Sequence, residues 1–138
     1  GNGVKIYDFP EGGITILGAS GSVTETTTSA LASTLNASVA YNWGVGTVTQ
    51  SNALLQTTEQ DILPNANGVQ GTASATINVA GAVSRDSSVG TPTSFAGHVT
   101  AIDAFFNVGI GTATDIDANA TTTSTGTITM SWVFNGDV

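Results

Sequence analysis

The sequence YNWGVGTVT at residues 41–49 has a near copy, FNVGIGTAT, at residues 106–114. Both copies read aromatic, Asn, apolar, Gly, apolar, Gly, Thr, any residue, Thr. Alternating apolar residues predict a strand with one face in the core, and the glycines allow a bend, a bulge or close approach to a neighbouring backbone. The repetition predicts two equivalent strands. Either each sheet of a two-sheet fold contains one of them, or the two strands pair side by side.

A Gly-x-Gly pair also occurs where a backbone loop binds a phosphate group. Neither copy has the Gly-Lys-Ser/Thr ending of a phosphate loop or the third glycine of a dinucleotide-binding loop. Both copies continue into Thr-x-Thr, which is typical of extended structure. The doubled motif is therefore interpreted as structural.

Other segments repeat this period of two. Residues 121–135 alternate most clearly, with one predicted inner row: Ile128, Met130, Trp132 and Phe134. Further strands are predicted at residues 4–9, 14–17, 22–27, 71–82 and 103–108. Residues 53–64 have spacing that fits one short helix or a wide loop, and residues 84–92 resemble an exposed loop.

Length and composition indicate that residues 1–138 form a single domain. The chain has 138 residues, of which 40% are hydrophobic and 9% charged. It is rich in Thr and Val and poor in strong helix formers. We therefore predict an all-β fold, an antiparallel two-sheet β-sandwich or jelly-roll-like domain with at most one short helix.

The charge balance excludes several partners. The net charge is −8, and Lys5 and Arg85 are the only fixed cations in the sequence. Nucleic acid is excluded because no basic patch can be assembled to bind phosphates, and an anionic membrane surface is disfavoured for the same reason. The sequence has no cysteine, so disulfides and thiolate metal sites are also excluded.

Residues 115–119 have the D-x-D-x-N spacing that begins a calcium-binding loop, through Asp115, Asp117 and Asn119. The pattern then fails, because Ala120 stands where a glycine is needed and Gly126 where a bidentate Glu is needed. An EF-hand is excluded. A solvated turn is expected, with a weak surface calcium site as the alternative.

No catalytic residue is predicted. His98 is the sole histidine and lacks the sequence context of an activated nucleophile. Glu59 with Asp61, and Asp115 with Asp117, are carboxylate pairs of the kind that can do acid–base work. Neither pair lies in an apolar setting that would separate their pKa values, so the side chains of both pairs are predicted to be solvated.

Aromatic residues along the strands suggest a carbohydrate-binding platform as one alternative. They are Tyr41, Trp43, Phe105, Phe106 and Trp132. Their alternation with small or polar residues makes most of them core residues instead.

Two stretches carry a resemblance to a known family. VKIYDFPEGGITILGA at residues 4–19 and FFNVGIGTATDIDANATTTSTGTITMSWVFNGD at residues 105–137 resemble capsid decoration, or cement, proteins of tailed bacteriophages. The resemblance implies a non-enzymatic subunit, without cofactor, on the outer capsid surface of the virion. It also implies a homotrimer that bridges copies of the major capsid protein, and further residues before Gly1.

The N-terminal strand is the predicted subunit interface because an apolar terminal strand can add to the edge of a neighbour's sheet. The candidate contact residues are Val4, Ile6, Tyr7 and Phe9. Two alternatives are left open: a subunit of an extracellular filament that assembles by strand exchange, and a carbohydrate-binding β-sandwich module.

Overall fold

A computed structural model describes residues 2–29, 40–52, 54–69, 76–86, 93–96, 100–110 and 120–136. In these ranges the chain forms strands and a single 3₁₀ turn at Thr57–Glu59. The strands are β1 (Asn2–Asp8), β2 (Gly13–Ser29), β3 (Ala40–Gly46), β4 (Leu63–Val69), β5 (Thr76–Asp86), β6 (Thr93–Phe95), β7 (Asp103–Ile110) and β8 (Ala120–Gly136). The prediction of an all-β fold is confirmed.

The described strands form two antiparallel sheets. Sheet A has the order β1-β7-β3-β4. In sheet B, β2 is central: β5 and β6 pair with one side of it and β8 with the other. The predicted two-sheet sandwich is therefore confirmed, and β1 and β8 each form an edge of their sheets among the described strands.

The core lies between the two sheets. Its buried apolar residues are Phe9, Ile14, Ile16, Ala19, Val23, Trp43, Val45, Ile62, Leu63, Ala104 and Phe106. The Trp43 ring lies directly over Gly21 of sheet B, where an added Cβ would be 2.6 Å from the indole. Burial of Trp43 and Phe106 confirms that these aromatics belong to the core.

The two copies of the doubled motif lie side by side in sheet A. β3 and β7 pair antiparallel, with Trp43 opposite Val108 at the centre. On either side of this pair, the Asn of one copy faces a Gly of the other: Asn107 is opposite Gly44, and Asn42 is opposite Gly109. Of the two predicted arrangements, the one with both strands side by side in one sheet is therefore correct.

Asn107 anchors the connection that follows β3. Its side chain is fully buried on the face of sheet A that points away from the core. Its Oδ1 accepts a hydrogen bond from the backbone N–H of Gln50 at 2.9 Å, and its Nδ2 donates to the carbonyls of Val48 at 2.9 Å and Glu59 at 2.8 Å. The connection is thereby fixed against the outer face of sheet A, and no buried amide atom of Asn107 lacks a partner.

Three local predictions differ from the structure. β4 and the short β6 were not predicted as strands, because Pro64, two Asn and a Gly give β4 low strand propensity. As an edge strand, β4 tolerates Pro64 because an edge residue has one side without ladder hydrogen bonds. The predicted loop at 84–92 is wrong at its start, since residues 84–86 belong to β5.

Substituting Gly46 tests how closely the connection covers sheet A. A Cβ at Gly46 would collide with the backbone of Thr58 and Glu59. We expect Gly46→Ala to lower the free energy of unfolding by about 1–3 kcal/mol, measured by urea denaturation. Gly13→Ala is the matched control, since its Cβ would meet no atom closer than 3.6 Å. Equal denaturation midpoints for the two variants would contradict this packing.

Candidate assembly surface

β1 exposes apolar side chains at an edge of sheet A. Val4 is 58% exposed, Tyr7 41% and Ile6 40%. Phe9, the fourth predicted contact residue, is buried in the core, so it supports the strand from inside. The three exposed residues, Val4, Ile6 and Tyr7, are named the β1 patch.

A β-bulge at Ile6 sets the direction of these side chains. Lys5 pairs with Phe105 and Tyr7 pairs with Ala104, which leaves Ile6 as the extra residue. Regular alternation along a strand at residues 4–9 would place Lys5 and Tyr7 on the same face, and the bulge breaks this alternation. Instead, Tyr7 lies on the core side of sheet A with Ala104, and Lys5 lies on the outer side.

An aromatic cluster joins the β1 edge to the β8 edge. The ring centroid of Tyr7 is 4.9 Å from that of Phe9 and 6.0 Å from that of Trp132. Phe9 and Trp132 meet edge to face with centroids 5.1 Å apart. Because Trp132 belongs to β8, the cluster holds the two sheet edges together on one side of the sandwich and fixes Tyr7 in place.

Charges occupy the outer side of the β1 edge. The Lys5 ammonium forms ion pairs with Asp8 and with Asp103, the latter at 3.1 Å. Hydrogen bonds to Asp8, and then to Asp103, raise the pKa of Lys5 above its ordinary value. A lysine and a bulge on an edge strand both hinder the addition of another strand, so a partner at β1 meets side chains more readily than open backbone.

The carboxylates of Glu59 and Asp61 are structural. Glu59 is buried, and its oxygens accept hydrogen bonds from the N–H and hydroxyl of Ser51 and the N–H of Gln56. Asp61 accepts from the N–H and hydroxyl of Thr47 at 2.8 and 2.9 Å. The prediction that both are solvated is wrong for Glu59, because the connection folds back and surrounds it with donors.

Glu25 is a buried carboxyl group that the sequence did not single out. Its Oε2 accepts a hydrogen bond from the Ser124 hydroxyl at 2.6 Å, while its Oε1 is buried without a partner. Burial raises the pKa of Glu25, and the Ser124 hydrogen bond offsets only part of that rise. The one available signal was a single Glu in a Thr-rich strand that alternates inward and outward residues.

The structure restricts the carbohydrate-binding alternative. Trp43 and Phe106 are buried and cannot stack on a sugar, while Trp132 is half-buried against Tyr7 and Phe9. Phe105 is only partly exposed. The side chain of Tyr41 lies outside the described part of the structure. No exposed aromatic platform therefore arises from the described members of this set.

Other predicted site residues cannot be placed. His98, Asp115, Asp117 and Asn119 lie outside the described residues. Within the described ranges, no three His, Cys, Asp or Glu side chains come together as a group that could hold a metal. No helix in the described part of the chain is long and apolar enough to cross a membrane.

Replacing Glu59 by Gln should destabilise the protein at neutral pH by about 1–3 kcal/mol, since an amide cannot accept from all three donors. Burial alone would raise the pKa of Glu59, but the hydrogen bonds from Gln56 and Ser51 together hold it below the ordinary value of 4.5. The carboxylate therefore stabilises the fold above about pH 4.5, and this contribution is lost as the pH falls through the lowered pKa. Urea denaturation from pH 3 to 7 measures the difference. The exposed Glu11→Gln is the control, and an equal loss of stability in both variants would contradict the assignment.

Replacing Glu25 by Gln should have the opposite effect at neutral pH. Because the folded-state pKa of Glu25 is raised above 4.5, the folded state binds its proton more tightly than the unfolded state does. Wild-type stability should therefore fall as the pH rises from about 4.5 through the raised pKa, whereas Glu25→Gln removes this fall. We expect the variant to be the more stable protein at pH 7 and to lose its advantage below pH 4.5. A variant that is less stable than wild type at pH 7 would contradict the burial of an uncompensated charge.

Comparison with known proteins gives no assignment: no family model, curated protein or solved structure matches this chain.

Proposed function

We propose that this protein is a non-enzymatic structural protein of a virion. In this proposal it is a decoration or cement protein that binds the outer surface of a tailed-bacteriophage head and stabilises the capsid. Its partners are the major capsid protein and other copies of itself, with a homotrimer as the assembled form. The observation that carries the proposal is the β1 patch, three exposed apolar side chains on a sheet edge.

The construction of the β1 patch supports a role in protein binding. Exposed apolar side chains that lie close together mark interaction sites more often than single ones do. Tyr7 is held by Phe9 and Trp132, so little side-chain freedom is lost when a partner covers it. A pre-ordered aromatic residue beside aliphatic neighbours is the kind of anchor that contributes strongly to interfaces.

The position of β1 indicates how such a contact forms. β1 pairs with β7 of its own chain from Asn2 to Asp8, so it completes its own sheet. A contact through the exposed side chains leaves these hydrogen bonds intact. The filament alternative, in which the N-terminal strand passes into a neighbour, requires them to break. This pairing supports docking through side chains rather than donation of the strand.

The test is binding to phage heads lacking this protein, assembled from the major capsid protein encoded in the same genome. We expect the double variant Val4→Ser/Ile6→Ser to bind at least about tenfold more weakly in co-sedimentation, because about 1.4 kcal/mol corresponds to a tenfold change in affinity. Both positions are exposed, so the variant should fold normally by circular dichroism. Val48→Ser/Leu54→Ser is the matched control, since these residues are 46% and 49% exposed in the connection after β3.

The two possible failures have different meanings. If wild-type protein does not bind the heads, the proposed function is wrong. If wild-type protein binds and both double variants bind equally well, the function stands and the assignment of the β1 patch is wrong.

A further inference from the structure

We infer that the edge of β8 opposite β2, which is unpaired among the described strands, pairs antiparallel with β8 of a second copy of this chain about a twofold axis. This pairing would join sheet B of one protomer to sheet B of the other in one continuous sheet. The inference does not rest on the proposed function, because it follows from the geometry and composition of β8 alone. It concerns the protein free in solution, where it predicts a dimer, whereas the homotrimer of the proposed function is the form assembled on the capsid.

The β8 edge is long and regular. Residues 120–131 pair with residues 29–18 of β2 without any irregularity. Among the described strands, none pairs with the opposite side of β8. The residues of the outward row along this stretch are all exposed: Thr121, Thr123, Thr125, Thr127, Thr129 and Ser131.

Over residues 120–131, β8 lacks the features by which edge strands prevent further pairing. It contains no charged residue and no proline over Ala120–Gly136. Natural edges are protected by charges, prolines, bulges or short length, and a long edge without them is a site of strand addition. The β1 edge of the same protein shows the contrast, since it has Lys5, two aspartates and a bulge.

The pattern within β8 identifies a second β8 as the partner strand. On its paired side, β8 already faces a strand with outward hydroxyl residues at alternate positions, as in Ser22↔Thr127 and Thr24↔Thr125. Another β8 presents the same alternation. In an antiparallel register that preserves the faces, Thr lies opposite Thr on the outer side, a favourable cross-strand pair.

Charge and size also fit self-association. Each chain carries a net charge of −8, so two copies repel each other over charged surfaces, whereas two β8 edges bring no charges together. Twelve paired residues are about 40 Å long and supply about one hydrogen bond per residue. That number of hydrogen bonds is within the range of a typical protein interface, about 10 ± 5.

A charge placed on the edge tests the pairing in solution. Sedimentation equilibrium of the whole chain should show a monomer–dimer equilibrium. Thr125→Lys should weaken dimerisation at least about tenfold, because a lysine on an edge strand opposes strand addition. Ser22→Lys is the matched control. It places the same charge on the same face of sheet B, but on the central strand β2, and should leave the dimer unchanged.

Single cysteines locate the axis, because the sequence has no cysteine of its own. In a twofold pairing only residues beside the axis lie close to their own copies, and a disulfide needs Cα atoms about 4.4–6.8 Å apart. Individual cysteine variants at residues 121–131 should therefore form disulfide-linked dimers at one position or two neighbouring ones. Positions farther along the strand should remain monomeric in non-reducing gels.

Each other outcome overturns the inference. A protein that remains monomeric at 100 µM has no such pairing. A dimer unaffected by Thr125→Lys uses another surface. A trimer in which no β8 position links to its own copy indicates a head-to-tail contact, since a twofold contact closes in pairs.

Discussion

The contact between the Trp43 indole and the backbone at Gly21 sets the relation between the two sheets. The indole occupies the space where any other residue at position 21 would place its Cβ. Trp43 also lies at the centre of the β3–β7 pair, opposite Val108. Since side chains alternate across a strand, this inward position fixes the faces of all other residues in the pair. A slip of one residue would place Asn107 on the same face as Trp43, so either the amide would be buried between the sheets or the indole would be exposed.

The doubled motif thereby serves both faces of sheet A. Among its described side chains, Trp43, Val45 and Phe106 are buried in the core and Val108 packs against them, while the Asn and Gly residues between them face the opposite way. Gly44 and Gly46 admit the connection after β3, and Asn107 binds its backbone. The first five positions of the repeat, residues 41–45 and 106–110, therefore meet two demands on one strand pair: a bulky inner face, and an outer face with little side-chain volume but a strong hydrogen-bonding group.

The parts of the fold that could be predicted depend on periodicity. Alternation around Trp43 and Phe106, and along residues 121–135, indicated strands of both sheets and part of the core. Ile128, Met130 and Trp132 do pack on the core, while Phe134 lies at the sheet end and is half exposed. Periodicity could not reveal β4, whose Pro and Asn residues gain strand structure only by pairing with β3. It could not reveal the bulge at Ile6 either, because a bulge depends on the partner strand β7.

The candidate site was less predictable, since burial of polar groups depends on residues distant in the sequence. Glu59 and Glu25 illustrate this. Both carboxyl groups are buried, but the pKa of Glu59 is lowered and that of Glu25 is raised. Glu59 lies among three donors that the folded connection supplies, whereas Glu25 has only the Ser124 hydroxyl. The direction of the pKa shift therefore follows from the number of nearby hydrogen-bond donors and not from the type of residue.

The two sheet edges suit two different kinds of contact. β1 offers apolar side chains while its backbone is protected by Lys5 and the bulge, and β8 offers open backbone with few apolar side chains over residues 120–131. Both edges lie on the same side of the sandwich, because Tyr7 of β1 contacts Trp132 of β8. A strand added beside Trp132 would consequently reach the margin of the β1 patch. The surface for self-pairing at β8 and the surface for docking at β1 are thus adjacent. The space around Tyr7 determines whether one protomer can make both contacts at once.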